Sequence, residues 1–339
     1  AADVGRSLPV VQRIPAGTVG DALETGTAAR IFTGAPLPAG ADAVAMQEYC
    51  VEANGRVEIA CALEPGDNVR PRGQDIAVGA RVLPRGRRLT PPDLGLLASV
   101  GCAQVPVYRP LRVAILSTGD ELVEPGQPEL PPGHVYNSNR YTLTGLLQAL
   151  GMEVVDFGIV ADDAEQTAQA LTRAAAEADC VITSGGVSVG EEDHVKEQVR
   201  RLGRLDLWKL AIKPGKPLAF GSIGDTPFIG LPGNPASVFV TFALVARPFL
   251  LQAQGVEDTQ LPALYAAAEF TVSRPGSRQD YMRVTLARRD GQLVAQKYSN
   301  QSSGVLSSVC ASNALAVIPP GQSISPGDSV EVLLLERLY

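Results

Sequence analysis

The chain has 339 residues, 45% of them apolar, with 36 acidic residues against 29 basic and a formal net charge of −7. That balance excludes the broad basic surface on which nucleic-acid binding depends, and the length suits two or three domains with real cores rather than a disordered chain. No run of about 18 uninterrupted apolar residues marks a membrane span, and no signal peptide opens the chain.

Residues 1–79 read as a small β-rich module, with short apolar stretches (VVQRI, AVAMQ, RVEIA) separated by Gly/Pro clusters. Residues 80–107 read as a helical linker segment, started at Thr90-Pro91-Pro92-Asp93 and stopped at Gly101. Residues 108–257 alternate strands and helices. LRVAILST, EVVDFGIV, DCVITSGG, LDLWKLAI, PLAFGSI and PFIGLPG are the strands, and Leu143, Leu146, Leu147 and Leu150 recur at helical spacing. Asp162-Asp163-Ala164-Glu165 resembles a capping box, Glu191 to Leu202 reads as a helix, and Asn234-Pro235 starts a last one with Asn as N-cap. This order predicts a parallel α/β sheet with right-handed crossovers. Residues 258–339 return to short β segments (EFTVS, YMRVTLA, LVAQKYS, ALAVIP, SVEVLLLE), as in a small barrel or sandwich.

Cys50, Cys61, Cys102, Cys180 and Cys310 contain no CxxC spacing, which points to a reduced, cytoplasmic protein with neither a zinc site nor a disulfide framework. His134 and His194 are too few for a histidine-rich metal centre. The opening residues, AADVGRSLPV, lack an initiating Met and read as the start of a trimmed chain or a fragment. Among 29 basic residues only five are Lys, and three of these, Lys209, Lys213 and Lys216, fall within WKLAIKPGK. Lysine is a compact point charge suited to phosphate or oxyanion contact; the alternative is a solvated basic turn.

Three further segments follow strands. TSGGVSVGEEDH (Thr183–His194) carries paired glycines that expose backbone N–H groups to an anion, or else form a plain tight turn. It is neither GxxxxGK[ST] nor GxGxxG, so neither a Walker ATPase nor a standard dinucleotide fold is supported. STGDEL (Ser117–Leu122) sets Asp120 beside Glu121, a pair fit to hold Mg²⁺ on a phosphate or to cap a helix. LPGNPAS (Leu231–Ser237) has two prolines that preset its backbone before ligand capture, although helix capping explains it equally. VYNSNR (Val135–Arg140) offers Asn137, Ser138 and Asn139 as helix caps or ligand contacts, and capping is the simpler reading.

Taken in order, STGDEL, YNSNR, TSGGVSVGEEDH, WKLAIKPGKP and LPGNPAS, flanked upstream by FTGAPLPAGADAVAMQE and RPRGQDI, resemble the molybdopterin molybdenumtransferase family, which includes bacterial MoeA and the gephyrin E domain. The resemblance spans essentially the whole chain. It implies a multi-domain α/β plus β fold: a central MogA-like molybdopterin-binding domain flanked by the β-rich module, the helical linker and a C-terminal β-barrel-like domain. It implies transfer of molybdate into adenylylated molybdopterin with release of AMP, dependent on Mg²⁺. Motif by motif, it points to Asp75, Glu121 and Asp193 as the acidic catalytic set and to Asp120 and Glu121 as metal ligands. The implied substrate contacts are Thr33, Thr118, Gly119, Asp120, Ser184, Gly185, Gly186, Lys209, Lys213, Lys216, Pro232, Asn234 and Pro235. The lysines and prolines would receive molybdate, and the glycine turns the pterin or phosphate end.

The family implies a homodimer whose site lies between the α/β domain of one subunit and the β module of the other, with substrate handed over by a molybdopterin adenylyltransferase. Family members also carry an upstream Ser-x-Met-Asp-Gly-Tyr-Ala motif, and this chain starts just after it. Two other readings stand beside this one: a molybdopterin adenylyltransferase, which shares the α/β domain, and a non-catalytic gephyrin-like scaffold. The lysine cluster with LPGNPAS disfavours the first, and the retained acids disfavour the second.

Overall fold

The computed structural model describes residues 5–126, 128–187, 194–336 and 338. The chain divides into two compact units, Ala1–Leu83 and Pro84–Tyr339. In the first, four strands, β1 (Ser7–Ile14), β2 (Ala28–Ile31), β3 (Cys50–Ala53) and β4 (Arg56–Ile59), form one sheet in the order β2-β1-β4-β3. Only the β1–β2 pair is parallel. β3 and β4 form a hairpin across the two-residue turn Asn54–Gly55, as such a dipeptide dictates. AVAMQ forms no strand. Val44 bonds instead to the Asp67 carbonyl (2.9 Å) and accepts from Asn68 Nδ2 (2.7 Å), so loop partners satisfy its backbone.

The second unit opens with α1 (Pro91–Ser99), which starts after Thr90 and stops before Gly101, where the sequence predicts a helix in the linker segment. Thr90 and Asp93 make a reciprocal capping box, and Arg87 pairs with Asp93 at 2.8 Å. The strands that follow are β5 (Arg112–Thr118), β6 (Leu122–Val123), β7 (Val135–Tyr136), β8 (Glu153–Val160), β9 (Cys180–Ser184), β10 (Gly203–Lys209), β11 (Ile212–Lys213), β12 (Pro217–Ile223) and β13 (Thr226–Leu231). Between and after them run α2 (Ser138–Ala149), α3 (Ala164–Glu177), α4 (His194–Leu202), α5 (Pro235–Thr241) and α6 (Arg247–Ala253), the last two joined by a π-helical turn.

The central sheet runs β10-β12-β13-β9-β5-β8. It is parallel across β13, β9, β5 and β8, but the β10–β12 and β12–β13 pairs are antiparallel. The parallel sheet expected from the sequence holds for these four strands, and β12 and β10 extend it into a mixed sheet. The reason is local: only residues 210–216 separate β10 from β12 and residues 224–225 separate β12 from β13, too few for a crossover helix.

β5 is buried on both faces. Val113 and Ile115 pack with Leu143, Leu147 and Phe242, while Ala114 and Leu116 pack with Leu171, Val181 and Val199. Two helical layers thus cover the sheet, as a continuous apolar strand requires. The stretch Pro235–Ala253 reaches a mean hydropathy of 1.6, yet 67% of that window is buried within the fold, as in a core helix of a globular protein.

β14 (Ala263–Ala268), β15 (Gln279–Arg289), β16 (Gln292–Lys297), β17 (Ala314–Ile318) and β18 (Ser329–Leu334) close into a five-stranded barrel, since β15 pairs with both β16 and β17. The short helix α7 (Ser307–Cys310) lies between β16 and β17. EFTVS, read as a strand, contributes a single bridge, Val272 to Ile324. β11 pairs with β15 and so joins the α/β domain to the barrel.

Hydrogen bonds from Arg87 and then Thr90 hold the Asp93 carboxyl at about 2, below its ordinary 3.8. The folded value is the lower one, so its stabilisation is present above the ordinary value and fades as pH falls from 3.8 towards 2. Asp93→Asn therefore lowers the urea midpoint at pH 7, and the wild-type and variant midpoints converge by about pH 2.

Candidate functional site

Strand register brings four of the sequence motifs to one end of the central sheet. Ser117 of β5 lies beside Ser184 of β9, Ser184 beside Leu231 of β13, and Lys209 of β10 opposite Pro217 of β12. STGDEL, SGG, KLAIKPGKP and LPGNPAS thus leave the sheet on the same side, outside its carboxyl ends, where open α/β sheets bind their ligands.

The turns touch. Gly185 N donates to the Leu231 carbonyl at 3.1 Å, and the Ser117 and Ser184 hydroxyls lie 3.4 Å apart. Gly185 has φ +92°, and a Cβ there would stand 2.5 Å from the Thr118 carbonyl oxygen. Gly186 has φ +64°, and its Cβ would meet Thr118 Oγ1 at 2.8 Å and collide with Val195. No other residue type fits either position. Thr118 is buried between these turns, and its hydroxyl has no partner among the described residues. An orphaned buried hydroxyl is destabilising unless something completes it, which marks this cradle as a place for a ligand.

Behind the turns stands YNSNR. Asn137 caps α2, its Oδ1 accepting from Arg140 N at 3.3 Å, and the same oxygen accepts from Ser117 Oγ at 3.3 Å. Asn139 Nδ2 donates to the Gly233 carbonyl at 2.7 Å. Arg140 bridges Asp156 at 2.6 Å and Glu124 at 2.9 Å. Asp156 first, and then Glu124, hold its guanidinium above the ordinary pKa.

The acidic candidates take different parts. Asp120 is exposed at the end of β5, and its Oδ1 accepts from Asp162 N at 3.1 Å. Glu121 is exposed too, with its carboxylate folded back over Gly119. Asp163 is the N-cap of α3, accepting from Glu165 N and Gln166 N without the reciprocal half of a capping box. Asp193, with Ser188–Glu192, lies outside the described residues. Thr33 and Asp75 sit on exposed turns of the first unit.

Lys209, Lys213 and Lys216 are all exposed. Lys213 pairs with Asp280 of the barrel at 2.8 Å, and Leu210 N donates to the Lys216 carbonyl at 2.9 Å, closing the lysine loop. Pro232 is buried and Asn234 exposed. Asn234 occupies the N-cap position expected of it, but its side chain makes no capping bond.

Among the described residues no three His, Cys, Asp or Glu side chains gather in a way that could hold a metal ion by themselves. The donor set at the end of β5 is instead two adjacent, exposed carboxylates. That suits Mg²⁺ in its commonest mode, bound by one or two carboxylates plus substrate phosphate and water.

The barrel adds a residue that no motif signalled. Arg283 is fully buried, with Nε on Ser308 Oγ at 3.1 Å and Nη2 on the Ser302 carbonyl at 3.2 Å. Burial pushes its guanidinium below the ordinary pKa. The neighbouring Ser303 carbonyl accepts from Ala236 N at 2.9 Å, which brings this segment against LPGNPAS. The one sequence signal that could have found it is an arginine within the strand segment YMRVTLA.

Comparison with known proteins covers most of the chain. Residues 1–101 match the model of the MoeA N-terminal region (domains I and II), 114–252 a probable molybdopterin binding domain, and 265–335 the MoeA C-terminal region (domain IV). The chain is 41% identical over 310 residues to the molybdopterin molybdenumtransferase of Haemophilus influenzae, covering 90% of this chain and 76% of that protein. The chain belongs to the molybdopterin molybdenumtransferase family. Its likeness to the enzyme of that name from a Nostoc species is 40% over 337 residues, covering 97% and 77%. The solved molybdopterin biosynthesis MoeA protein of Pyrococcus horikoshii superposes with a TM-score of 0.77 at 33% identity, covering 97% of this chain and 81% of that one. The MoeA architecture, a MogA-like domain beside a closed five-stranded barrel, follows from these matches and from the strand pairing.

Gly185→Ala tests the cradle. A left-handed alanine costs on the order of 1–2 kcal/mol from backbone strain alone, and the clash with the Thr118 carbonyl adds to it. The variant melts at lower temperature, and whatever folds binds substrate more weakly than wild type in direct titration.

Proposed function

We propose that this chain inserts molybdenum from molybdate into adenylylated molybdopterin, yielding molybdenum cofactor and AMP. What carries the reading is the gathering of the lysine loop with three glycine turns at one end of the sheet, in a member of this family. Both substrates are anionic. Exposed lysine ammonium groups and turn N–H groups are the donors such groups need.

In this reading Lys209, Lys213 and Lys216 receive molybdate together with the turn Pro232–Pro235. Thr118, Gly119 and the Ser184–Gly186 turn hold the phosphate or pterin end, where the unpartnered Thr118 hydroxyl gains a partner. Asp120 and Glu121 hold Mg²⁺, which when bound offsets charge on the pyrophosphate and raises its electrophilicity. Asp75, Asp193 and Thr33 complete the acidic and polar set. No protein nucleophile takes part.

We further propose a homodimer with its site shared between subunits. One observation supports this: α1, apolar over LGLLAS, buries only Asp93 and leaves Leu94 56% exposed, a face that a second copy would cover. Five free thiols accord with a reducing, cytoplasmic location. An adenylyltransferase is the partner whose product this enzyme consumes, and neither nucleic acid nor membrane enters.

The test is AMP release from adenylylated molybdopterin with Mg²⁺, with and without molybdate, for this chain and for Glu121→Ala. Release that depends on molybdate and falls on the order of 10²-fold in the variant supports the reading. Release indifferent to molybdate, or unchanged in Glu121→Ala, overturns it.

A further inference from the structure

YNSNR holds two asparagines in one helical turn, and the cap needs only one of them. Asn137 does the capping. Asn139 is the second residue of α2, just past the cap. It is 8% exposed, and its Oδ1 has no partner among the described residues. A buried amide with an unpaired oxygen is a stability cost that local structure does not explain. Its amide nitrogen reaches 94 residues along the chain, Nδ2 donating to the Gly233 carbonyl at 2.7 Å. That bond also settles the amide orientation, since only the nitrogen can donate.

Gly233 and Asn234 are the exposed tip of LPGNPAS. In a trans peptide the carbonyl and the following N–H point in opposite directions. With the Gly233 carbonyl drawn onto α2, the Asn234 N–H is turned away from α2. Among the described residues that N–H makes no hydrogen bond, and the Asn234 side chain does not cap the helix.

We propose that Asn139 is a positioning residue: it locks the Gly233–Asn234 peptide so that the Asn234 N–H faces the incoming oxyanion. This rests on the reading above, in which the turn receives molybdate. Asn139 never touches the substrate; it acts through the peptide plane. Losing the lock lets that peptide rotate and present a carbonyl oxygen, which repels an anion.

The test is steady-state AMP release with molybdate and adenylylated molybdopterin varied separately, for wild type, Asn139→Ala and Asn139→Asp, beside thermal melting. Asn139→Ala is expected to melt within about 3 °C of wild type, and Asn139→Asp, which puts a carboxylate in a buried site, to fold but melt lower. The KM for molybdate rises about tenfold or more, the size expected for one misplaced hydrogen-bonding group, and the KM for the pterin substrate stays unchanged. Asn139→Asp is at least as damaging as Asn139→Ala, because a carboxylate cannot donate to the Gly233 carbonyl and repels it. A packing role predicts the reverse order, since aspartate keeps the shape.

An unchanged molybdate KM, an aspartate variant milder than the alanine one, or failure of both to fold overturns the proposal. A wild type without molybdate-dependent release strikes the functional reading instead. The lock is then decided by titrating molybdate alone: weaker binding in both variants supports it, and equal binding or none in wild type overturns it.

Discussion

Two turns come so close at the carboxyl end of the central sheet that no side chain fits between them. Thr118 ends one strand, Gly185 and Gly186 end its neighbour, and the Thr118 carbonyl would lie 2.5 Å from any Cβ at Gly185. Parallel pairing of β5 with β9 sets that distance, because adjacent strands lie about 4.8 Å apart whatever their sequence. The other parts of the site follow from it. LPGNPAS is tied to the glycine turn through Gly185 N and Leu231 O, and the two seryl hydroxyls meet beneath.

Around this floor the molecule separates rigidity from charge. The strands that deliver the turns are buried on both faces, and their helices pack against them from either side. The charged groups, Lys209, Lys213 and Lys216 suited to anions and Asp120 and Glu121 suited to a cation, are exposed at the rim. This avoids the desolvation of several charges in a core, while the backbone donors keep a fixed direction. The lysine loop would be the loosest part, but β11 pairs it with the barrel, and Asp280 holds Lys213. The barrel thus braces the lysine loop.

Much of this was legible in the chain. A continuous apolar run such as LRVAILST has one stable home, a strand covered on both faces. Paired glycines after such a strand announce left-handed turns, and three lysines among 24 arginines announce a deliberate choice of cation. Resemblance joined these fragments into a family. Other features were misread for physical reasons. AVAMQ is apolar enough for a strand but finds its backbone partners in a loop, and EFTVS has partners for one bridge only. β12 lies antiparallel because its connections are short, a fact of topology that strand patterning does not carry.

The roles of the two asparagines in YNSNR show where sequence reading stops. Both are polar, both begin a helix, and local chemistry assigns each to capping. The fold alone distinguishes them, giving Asn137 to the cap and Asn139 to a carbonyl 94 residues away. The pairing of Lys213 with Asp280 and the approach of Arg283's segment to LPGNPAS are likewise long-range. Sequence by itself determined the strands, the turns, the chemical types at the rim and the family, because these rest on local conformational preference and on motifs read along the chain. Tertiary structure decided which of those residues meet, because hydrogen bonds and ion pairs depend on distances that only packing sets.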